Sequence, residues 1–420
     1  MRFLHAADLH IDSPLRGLDR YDGAPVERLR SATRRALEGL IDRALSEPVD
    51  FVVFAGDIYD GDWQDFHTGL FFREQMVRLD RAGIRAFITQ GNHDAQGVIA
   101  RQLILPPNVT VFSSRAAHTV AIDDLSVAIH GRSFPDRAVP EDLVPAYPSP
   151  IPGYFNIGVL HTSLGGSSRH DTYAPTDAAT LAAKGYDYWA LGHVHAREVV
   201  SESAPRIVFP GNLQGRHARE TGPKGCELVI VLANRMETEF LALDAVRWHD
   251  LAVPLDHIEA LDQISGAFCE ALAPTLVGAA DRLHAVRVTL TGVTPLAALE
   301  ASQPGTLGAA VRAGAQDLGD IEVWIEQVRL NITPPGDRAQ ARRRDDAIGE
   351  LIRLVDETNA DEVALRALVQ AQLGGVLDAL PPEVADGDVP RLTEVEAMRQ
   401  LLQDAEATVL ARLATTGDGA

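Results

Sequence analysis

Short apolar runs rich in β-branched and aromatic residues alternate along the chain with longer stretches whose apolar positions recur every three or four residues. Runs of the first kind predict strands at 2–7 (RFLHAA), 50–56 (DFVVFAG), 84–90 (IRAFITQ), 125–131 (LSVAIHG), 155–161 (FNIGVLH), 186–192 (YDYWALG), 206–211 (RIVFPG) and 226–232 (CELVIVL). The second kind predicts helices over 25–46 and 66–82. Strands separated by helices imply an α/β layered fold over 1–245. The Pro-rich VPAYPSPIPGY (144–154) reads as a loop within this unit, because the strand pattern resumes after it.

Residues 246–334 read as strand 246–256, helix 258–274, strand 283–292, helix 296–317 and strand 321–332, a smaller β-α-β-α-β domain. TPPG at 333–336 breaks the pattern. Helical spacing returns over 338–356, 359–379 and 392–414, split by PPEVADGDVP (381–390), so 335–420 reads as a helical C-terminal segment. The tail ATTGDGA is expected to be disordered.

Composition narrows the function classes. Of 420 residues, 46% are hydrophobic and 23% charged, ordinary for a soluble globular protein. The formal charge of −21 repels polyanions at long range, so nucleic-acid binding would need a local basic patch or bound cations. Two cysteines, Cys226 and Cys269, make neither a disulfide framework nor a zinc knuckle, and a reducing cytoplasm is expected. The N-terminus lacks the pattern of a signal peptide, and no apolar run approaches the ~20 residues of a membrane span.

Metal-competent residues recur just after the predicted strands: Asp8-Leu9-His10, Gly56-Asp57-Ile58-Tyr59-Asp60, Gly91-Asn92-His93-Asp94, His161 and Gly192-His193-Val194-His195. In open α/β sheets ligands collect at the carboxyl ends of strands, where residues distant in sequence converge. Glycines ahead of Asp57, Asn92 and His193 permit tight exit turns. Asp8, His10, Asp57, Asn92, His161, His193 and His195 are the metal-ligand candidates. Seven protein ligands overfill one transition metal, whereas two ions about 3.5–4 Å apart sharing a carboxylate use them well. Imidazole, carboxylate and amide oxygen together suit Mn²⁺, Fe²⁺ or Zn²⁺. Such a pair stabilises the attacking and leaving oxygens at phosphorus and makes water acidic enough to attack. His93 is the candidate proton donor to the leaving group, with Asp94 as the carboxylate that orients it. Arg132, Arg216, His217 and Arg219 are candidate walls of a basic groove, or simply solvated charges. His5 reads as core; His118, His170, His249, His257 and His284 as surface or packing residues; Trp63 and Phe66 as local packing.

The ordered set D-x-H, G-D-x-x-D, G-N-H-D, H, G-H-x-H resembles the calcineurin-like metallophosphoesterase superfamily over about the first 215 residues. LHAADLHIDSPL and GDIYD resemble its SbcD/Mre-type DNA repair nucleases, and FPGNLQGRHARETGPKGC (209–226) is similar to the bacterial YhaO-like exonuclease subgroup. The resemblance implies a four-layer α-β-β-α metallophosphoesterase domain, with 246–334 as a capping domain that helps hold DNA. It implies one ion on Asp8, His10, Asp57 and His195, and a second on Asp57, Asn92, His161 and His193, with Asp57 bridging and His193 and His195 serving different ions. It further implies Mn²⁺ as the metal and cleavage of DNA phosphodiesters with 3′→5′ exonuclease and endonuclease activities. The implied partner is a coiled-coil ATPase of the SMC type, docked on the helices after residue 336. Some members of the family carry a histidine shortly after the second motif's aspartate; here that motif ends in Asp60.

Two other readings stand beside the nuclease: a small-molecule phosphodiesterase or phosphatase, which the acidity of the chain suits, and a non-catalytic scaffold, which an intact ligand set argues against. The C-terminal helices equally suit an intramolecular buttress or a homodimer element.

Overall fold

A computed structural model of the chain describes residues 1–15, 23–60, 66–95, 103–165, 173–232, 235–336, 338–377, 379 and 394–417. Trp63, His170 and the segment 381–390 lie outside the described residues. The chain divides into two compact units, Met1–Asp250 with Ala280–Val286 and Ile321–Glu326, and Leu251–Ala279 with Arg287–Asp320 and Gln327–Ala420.

The first unit contains strands β1 (Arg2–Ala6), β2 (Phe51–Ala55), β3 (Arg85–Thr89), β4 (Val109–Val111), β5 (His118–Ile122), β6 (Val127–Gly131), β7 (Phe155–His161), β8 (Tyr188–Gly192), β9 (Glu198–Ser201), β10 (Arg206–Phe209), β11 (Gly225–Leu232) and β12 (Arg235–Ala242). Its helices are α1 (Val26–Ser46), α2 (Phe66–Arg81) and the short α3 (Ala178–Ala183). Two sheets form, in the orders β12-β11-β1-β2-β3-β4 and β5-β6-β7-β8-β10-β9. Strands β1 to β4 run parallel, and so do β6, β7, β8 and β10; β11 and β12 add antiparallel to the first sheet beside β1, and β5 and β9 form the antiparallel edges of the second.

Alternation along each strand decides what it faces. Leu4, Ala6, Val52, Phe54, Ala86 and Ile88 pack outward against Ala36, Leu37, Leu40 and Ile41 of α1 and Phe72, Met76 and Leu79 of α2. Their neighbours Phe3, Phe51, Val53 and Phe87 turn inward onto Val127, Ile129, Ile157, Val159, Tyr188 and Val208 of the second sheet. Phe3 stacks on Phe51 at 5.0 Å and meets Tyr188 edge-on at 5.4 Å. On the second sheet's far face, Leu160, Trp189, Leu191, Ile207 and Phe209 pack beneath α3 and the loop carrying Phe134, Leu143 and Tyr147. Helix, sheet, sheet and helix-with-loop are thus the four layers, the α-β-β-α order that the resemblance implies. Strands β4, β5, β9 and β12 and helix α3 are additions to the sequence reading; the strands are short or at edges, with partly exposed residues that blur the apolar signal.

Beyond residue 245 come β13 (Val246–Pro254), α4 (Asp262–Leu276), β14 (Leu283–Val293), α5 (Leu296–Ser302), α6 (Thr306–Gln316) and β15 (Val323–Thr333), with sheet order β13-β14-β15. The helix expected over 296–317 is two, because Pro304 and left-handed Gly305 (φ 93°) interrupt it. Helices α7 (Arg338–Arg342), α8 (Ala347–Ala360), α9 (Glu362–Leu377) and α10 (Val395–Gly417) follow. Helix α10 extends into the tail expected to be disordered, as far as Gly417. Among the described residues no helix is long and apolar enough to cross a membrane.

His5 is buried between the sheets, with its ring nitrogens 3.0 Å from the Tyr188 hydroxyl and 3.1 Å from the Leu191 carbonyl. Burial pushes the ring down to about 3, against the pull of the Leu191 carbonyl. Between pH 6.5 and about 3 the unfolded chain therefore takes a proton that the folded one refuses, so stability falls as pH falls. The expected cost is about 1.4 kcal/mol per pH unit in that window. Denaturant unfolding in chelator should show His5→Gln losing correspondingly less than the native chain between pH 6.5 and 4.5; parallel losses would refute this.

Candidate metal centre

The parallel strands β1, β2, β3, β7 and β8 each deliver a polar turn at their carboxyl ends. After β1, Asp8, His10 and Asp12 all take positive φ (52°, 41° and 56°), and after β2 so do Gly56 (93°) and Asp57 (51°). Such left-handed backbone is costly for non-glycine residues and persists where surroundings impose it. Here the two exits zip together: the amides of Asp8, His10 and Ile11 donate to the carbonyls of Gly56, Asp57 and Ile58 at 3.0–3.1 Å. Asp12 is held in turn by Arg34 and Thr68. Of the three glycines ahead of ligand candidates, Gly56 alone has positive φ. The other two are needed for space. A Cβ on Gly91 would stand 2.3 Å from Asp57 Oδ1, and one on Gly192 1.9 Å from the Ala55 carbonyl oxygen.

The turns bring the candidates together. Asp8, His10 and His195 place one donor atom each within 4.8 Å of one another, and Asp8, Asp57 and His161 do the same. His10 Nε2 and His195 Nε2 are 3.2 Å apart. Asp57 Oδ2 lies 3.3 Å from His161 Nε2 and 3.9 Å from His10 Nε2, between the two groups. Asn92 Oδ1 is 2.9 Å from His161 Nε2. The His193 ring sits 5.2 Å from that of His161, while the His195 ring sits 5.0 Å from that of His10. His193 has φ 103°, so the rule that alternate residues share a face does not apply, and the two histidines attend different groups.

The donor chemistry fits cations. His161 Nδ1 donates to the Ala55 carbonyl at 3.0 Å, which leaves the Nε2 lone pair facing two acceptors, Asp57 Oδ2 and Asn92 Oδ1. Burial favours the neutral ring, but Asp57 and Asp8 outweigh it and lift His161 to about 9. Its surroundings call for positive charge. His10 goes the other way: burial, then Arg216, push it down to about 4, so at neutral pH it is an uncharged imidazole ready to donate.

Residues 1–197 match the calcineurin-like phosphoesterase family, and residues 248–333 match the middle domain of metallophosphoesterase YhaO. The chain is 33% identical over 372 residues to the metallophosphoesterase YhaO of Bacillus subtilis (strain 168), covering 86% of this chain and 89% of that protein. The chain belongs to the YhaO family of calcineurin-like metallophosphoesterases. It is also 26% identical over 232 residues to the DNA double-strand break repair protein Mre11 of Methanopyrus kandleri, covering 50% of this chain and 48% of that one. With the SbcD component of the nuclease SbcCD from Escherichia coli (strain K12) it shares 28% identity over 125 residues, 29% of this chain and 28% of that component. Metallophosphoesterases are phosphoester hydrolases with a binuclear divalent metal site, and the two donor groups above are candidate ligand groups for such a site in this YhaO-family chain.

Around these groups the YhaO-family chain departs from the sequence reading at Asp94. That carboxylate does not orient His93. It accepts the backbone amides of Ile58, Tyr59 and Gly91 at 2.9–3.2 Å, and burial with the Asp57 charge pushes it up to about 7. The partner of His93 is Asp60, whose Oδ1 is 3.0 Å from His93 Nδ1. Adjacency in sequence misleads here, because the Asp94 side chain turns onto backbone amides, two of them in the turn after β2, and away from the His93 ring. The Asp60 hydrogen bond raises His93 above an ordinary histidine, against burial.

Glu220 is a second residue that motif spacing missed. Its Oε1 accepts from His195 Nδ1 at 2.6 Å; its Oε2 accepts the Arg216 amide at 2.7 Å and Asn212 Nδ2 at 2.9 Å. Burial alone would raise Glu220, but the His195 hydrogen bond and Arg216 hold it ionised. The pair fixes the tautomer that leaves His195 Nε2 free. Glu220→Gln is expected to weaken metal binding about 10–100-fold, read by calorimetry with Mn²⁺; unchanged affinity would mean that Glu220 only packs.

Of the basic candidates, Arg216 reaches the centre, with its guanidinium 3.4 Å from His195 Nδ1. His217 and Arg219 are exposed on the same loop. Arg132 donates to the Ser114 carbonyl at 3.3 Å, and among the described contacts nothing joins it to the histidines.

Proposed function

We propose that this chain is a DNA nuclease: a phosphodiesterase using two divalent cations, Mn²⁺ for preference, with 1–245 carrying the chemistry and 246–334 capping the substrate. The observation that carries the reading is the open edge of the centre. His93 and His195 have side chains 38% and 28% exposed while Asp8, His10, Asp57 and His161 are buried, and Arg216, His217 and Arg219 lie on one loop beside that edge. An edge of this kind suits the backbone of a polymer, and local basic groups offset the charge of −21. The similarity to Mre11 and to the SbcD component of SbcCD supports the same substrate.

Asp8, His10, Asp57 and His195 would hold one cation, and Asp57, Asn92, His161 and His193 the other. Bound cations supply positive charge against the charge growing on the phosphoryl oxygens and make water acidic enough to attack at neutral pH. His93, whose hold on a proton Asp60 strengthens, gives that proton to the leaving oxygen. Helices α8 to α10 of the 335–420 segment expose Leu354, Val363, Val376 and Val409, a surface suited to a coiled-coil ATPase of the SMC type; a second copy of this chain is the alternative occupant.

The test is incubation of purified protein with plasmid and end-labelled duplex DNA in Mn²⁺, Zn²⁺ or Mg²⁺, alone and with a coiled-coil ATPase. Metal-dependent nicking or resection is expected. Hydrolysis of cyclic nucleotides with no DNA cleavage in any condition would establish the small-molecule phosphodiesterase instead, the reading the acidity of the chain favours.

A further inference from the structure

Several arginines in this chain are met by close carboxylates. Arg34 reaches Asp12 at 2.7 Å through Nε, Arg247 grips Asp244 at 2.8 and 2.9 Å, and Arg338 grips Glu406 at 3.0 Å through two nitrogens. Arg216, at the metal centre, is not. Its NH1 is 3.3 Å from Ser13 Oγ and 3.8 Å from Asp60 Oδ2, and its NH2 is 3.4 Å from Glu220 Oε1. The remaining contact, NH2 to His195 Nδ1 at 3.4 Å, sets donor against donor, because Nδ1 already gives its hydrogen to Glu220. Its Nε is buried and has no partner among the described residues. A guanidinium presents a rigid fork of donors that fits carboxylate or phosphate, and leaving a buried donor unmet costs stability. Asp60 and Glu220 balance the charge of Arg216 without filling its fork.

The position gives the fork a use. Asp60 carries the proton donor His93, and Glu220 carries the metal-ligand candidate His195, so Arg216 stands between the two ends of the site with its side chain 15% exposed. We propose that Arg216 is the phosphate clamp of this centre, exchanging its long contacts to Glu220 and Asp60 for a non-bridging oxygen of the substrate's phosphodiester. The clamp rests on the phosphodiesterase reading and adds a catalytic residue to it. Charge-assisted contact to a phosphoryl oxygen strengthens as charge builds there, so the clamp serves turnover as well as binding.

The test compares native chain, Arg216→Gln and Arg216→Lys, each loaded with Mn²⁺. Readouts are metal equivalents by elemental analysis, affinity for inorganic phosphate by calorimetry, and turnover of bis(p-nitrophenyl) phosphate, whose leaving group needs no proton donor. Arg216→Gln should keep its metal, bind phosphate about ten-fold more weakly or worse, and lose about 10²-fold in kcat/KM, with Lys between. Native-like phosphate affinity overturns the clamp. Loss of metal overturns it too, since Arg216 would then be a support for Glu220 and His195. A loss confined to alkoxide leaving groups also overturns it, since the role would run through Asp60 and His93. Should Arg216→Gln fail to fold, Arg216→Lys decides on phosphate affinity alone, because it keeps the charge and loses the fork. Should the native chain cleave no phosphodiester, the functional reading falls, and phosphate affinity still decides whether Arg216 holds the anion.

Discussion

On the nuclease reading proposed above, replacing His93 by alanine is expected to slow cleavage of a DNA phosphodiester about 10²–10⁴-fold while leaving the metal content unchanged. The argument starts from what His93 touches. Its Nδ1 meets Asp60, and its backbone amide donates to Asp57 Oδ1 at 3.0 Å, so the main chain supports the metal-ligand candidate while the ring stays free for chemistry. The Asp60 hydrogen bond raises the ring's affinity for a proton above that of an ordinary histidine, against burial. A sugar alkoxide is a poor leaving group without a proton, whereas p-nitrophenolate leaves unaided. His93→Ala should therefore suppress DNA cleavage far more than hydrolysis of bis(p-nitrophenyl) phosphate. Equal losses on both substrates, or loss of metal, would remove His93 from the role of proton donor.

The same residue shows how far the sequence could be read. Strand exits were legible because each pairs an apolar β-rich run with a Gly or Asp turn, as at Phe51–Asp57 and Tyr188–His193, and the candidate ligands sit there. Backbone strain was not legible: nothing in Asp8-Leu9-His10 says that Asp8 and His10 both adopt positive φ. That strain turns both side chains toward one point, held by hydrogen bonds to the distant turn at Gly56–Ile58 that only the fold brings near. The supporting carboxylates follow the same logic. Asp60 was visible as the end of G-D-x-x-D, but its partner was assigned to Asp94, because sequence shows neighbours and not where a turn sends a side chain. Glu220 comes 25 residues after His195, on a loop without metal-ligand spacing. The one hint was an acid four residues after Arg216 in R-H-A-R-E, beside Asn212, whose amide completes the Glu220 site.

Asp57→Asn is expected to abolish turnover and to separate the stability of the metal-free chain from that of the loaded one. Asparagine keeps the shape and an oxygen for the His93 amide at the Oδ1 position, so the turn after β2 has no reason to rearrange. It loses the charge on Oδ2, which lies between His161 Nε2 and His10 Nε2. Burial favours the neutral acid, but His161, His10 and His93 outweigh it and hold Asp57 ionised well below the usual carboxylate range. The same charge raises its neighbours Asp8 and Asp94, so without a cation the cluster carries like-charge repulsion. Removing Asp57's charge takes from the His161 ring the carboxylate that it faces, and removes a carboxylate that lies between the two donor groups. Because Asp57 is held ionised below the usual carboxylate range, its charge stabilises the metal-free fold at neutral pH, and the metal-free variant should melt somewhat below the native chain. Added Mn²⁺ should raise the native Tm, since a ligand at 100 times its Kd stabilises by about 2.7 kcal/mol, and raise the variant's far less. A variant that gains as much from Mn²⁺ as the native chain would make Asp57 a structural residue and move the bridging role to Asp8, which both donor groups share.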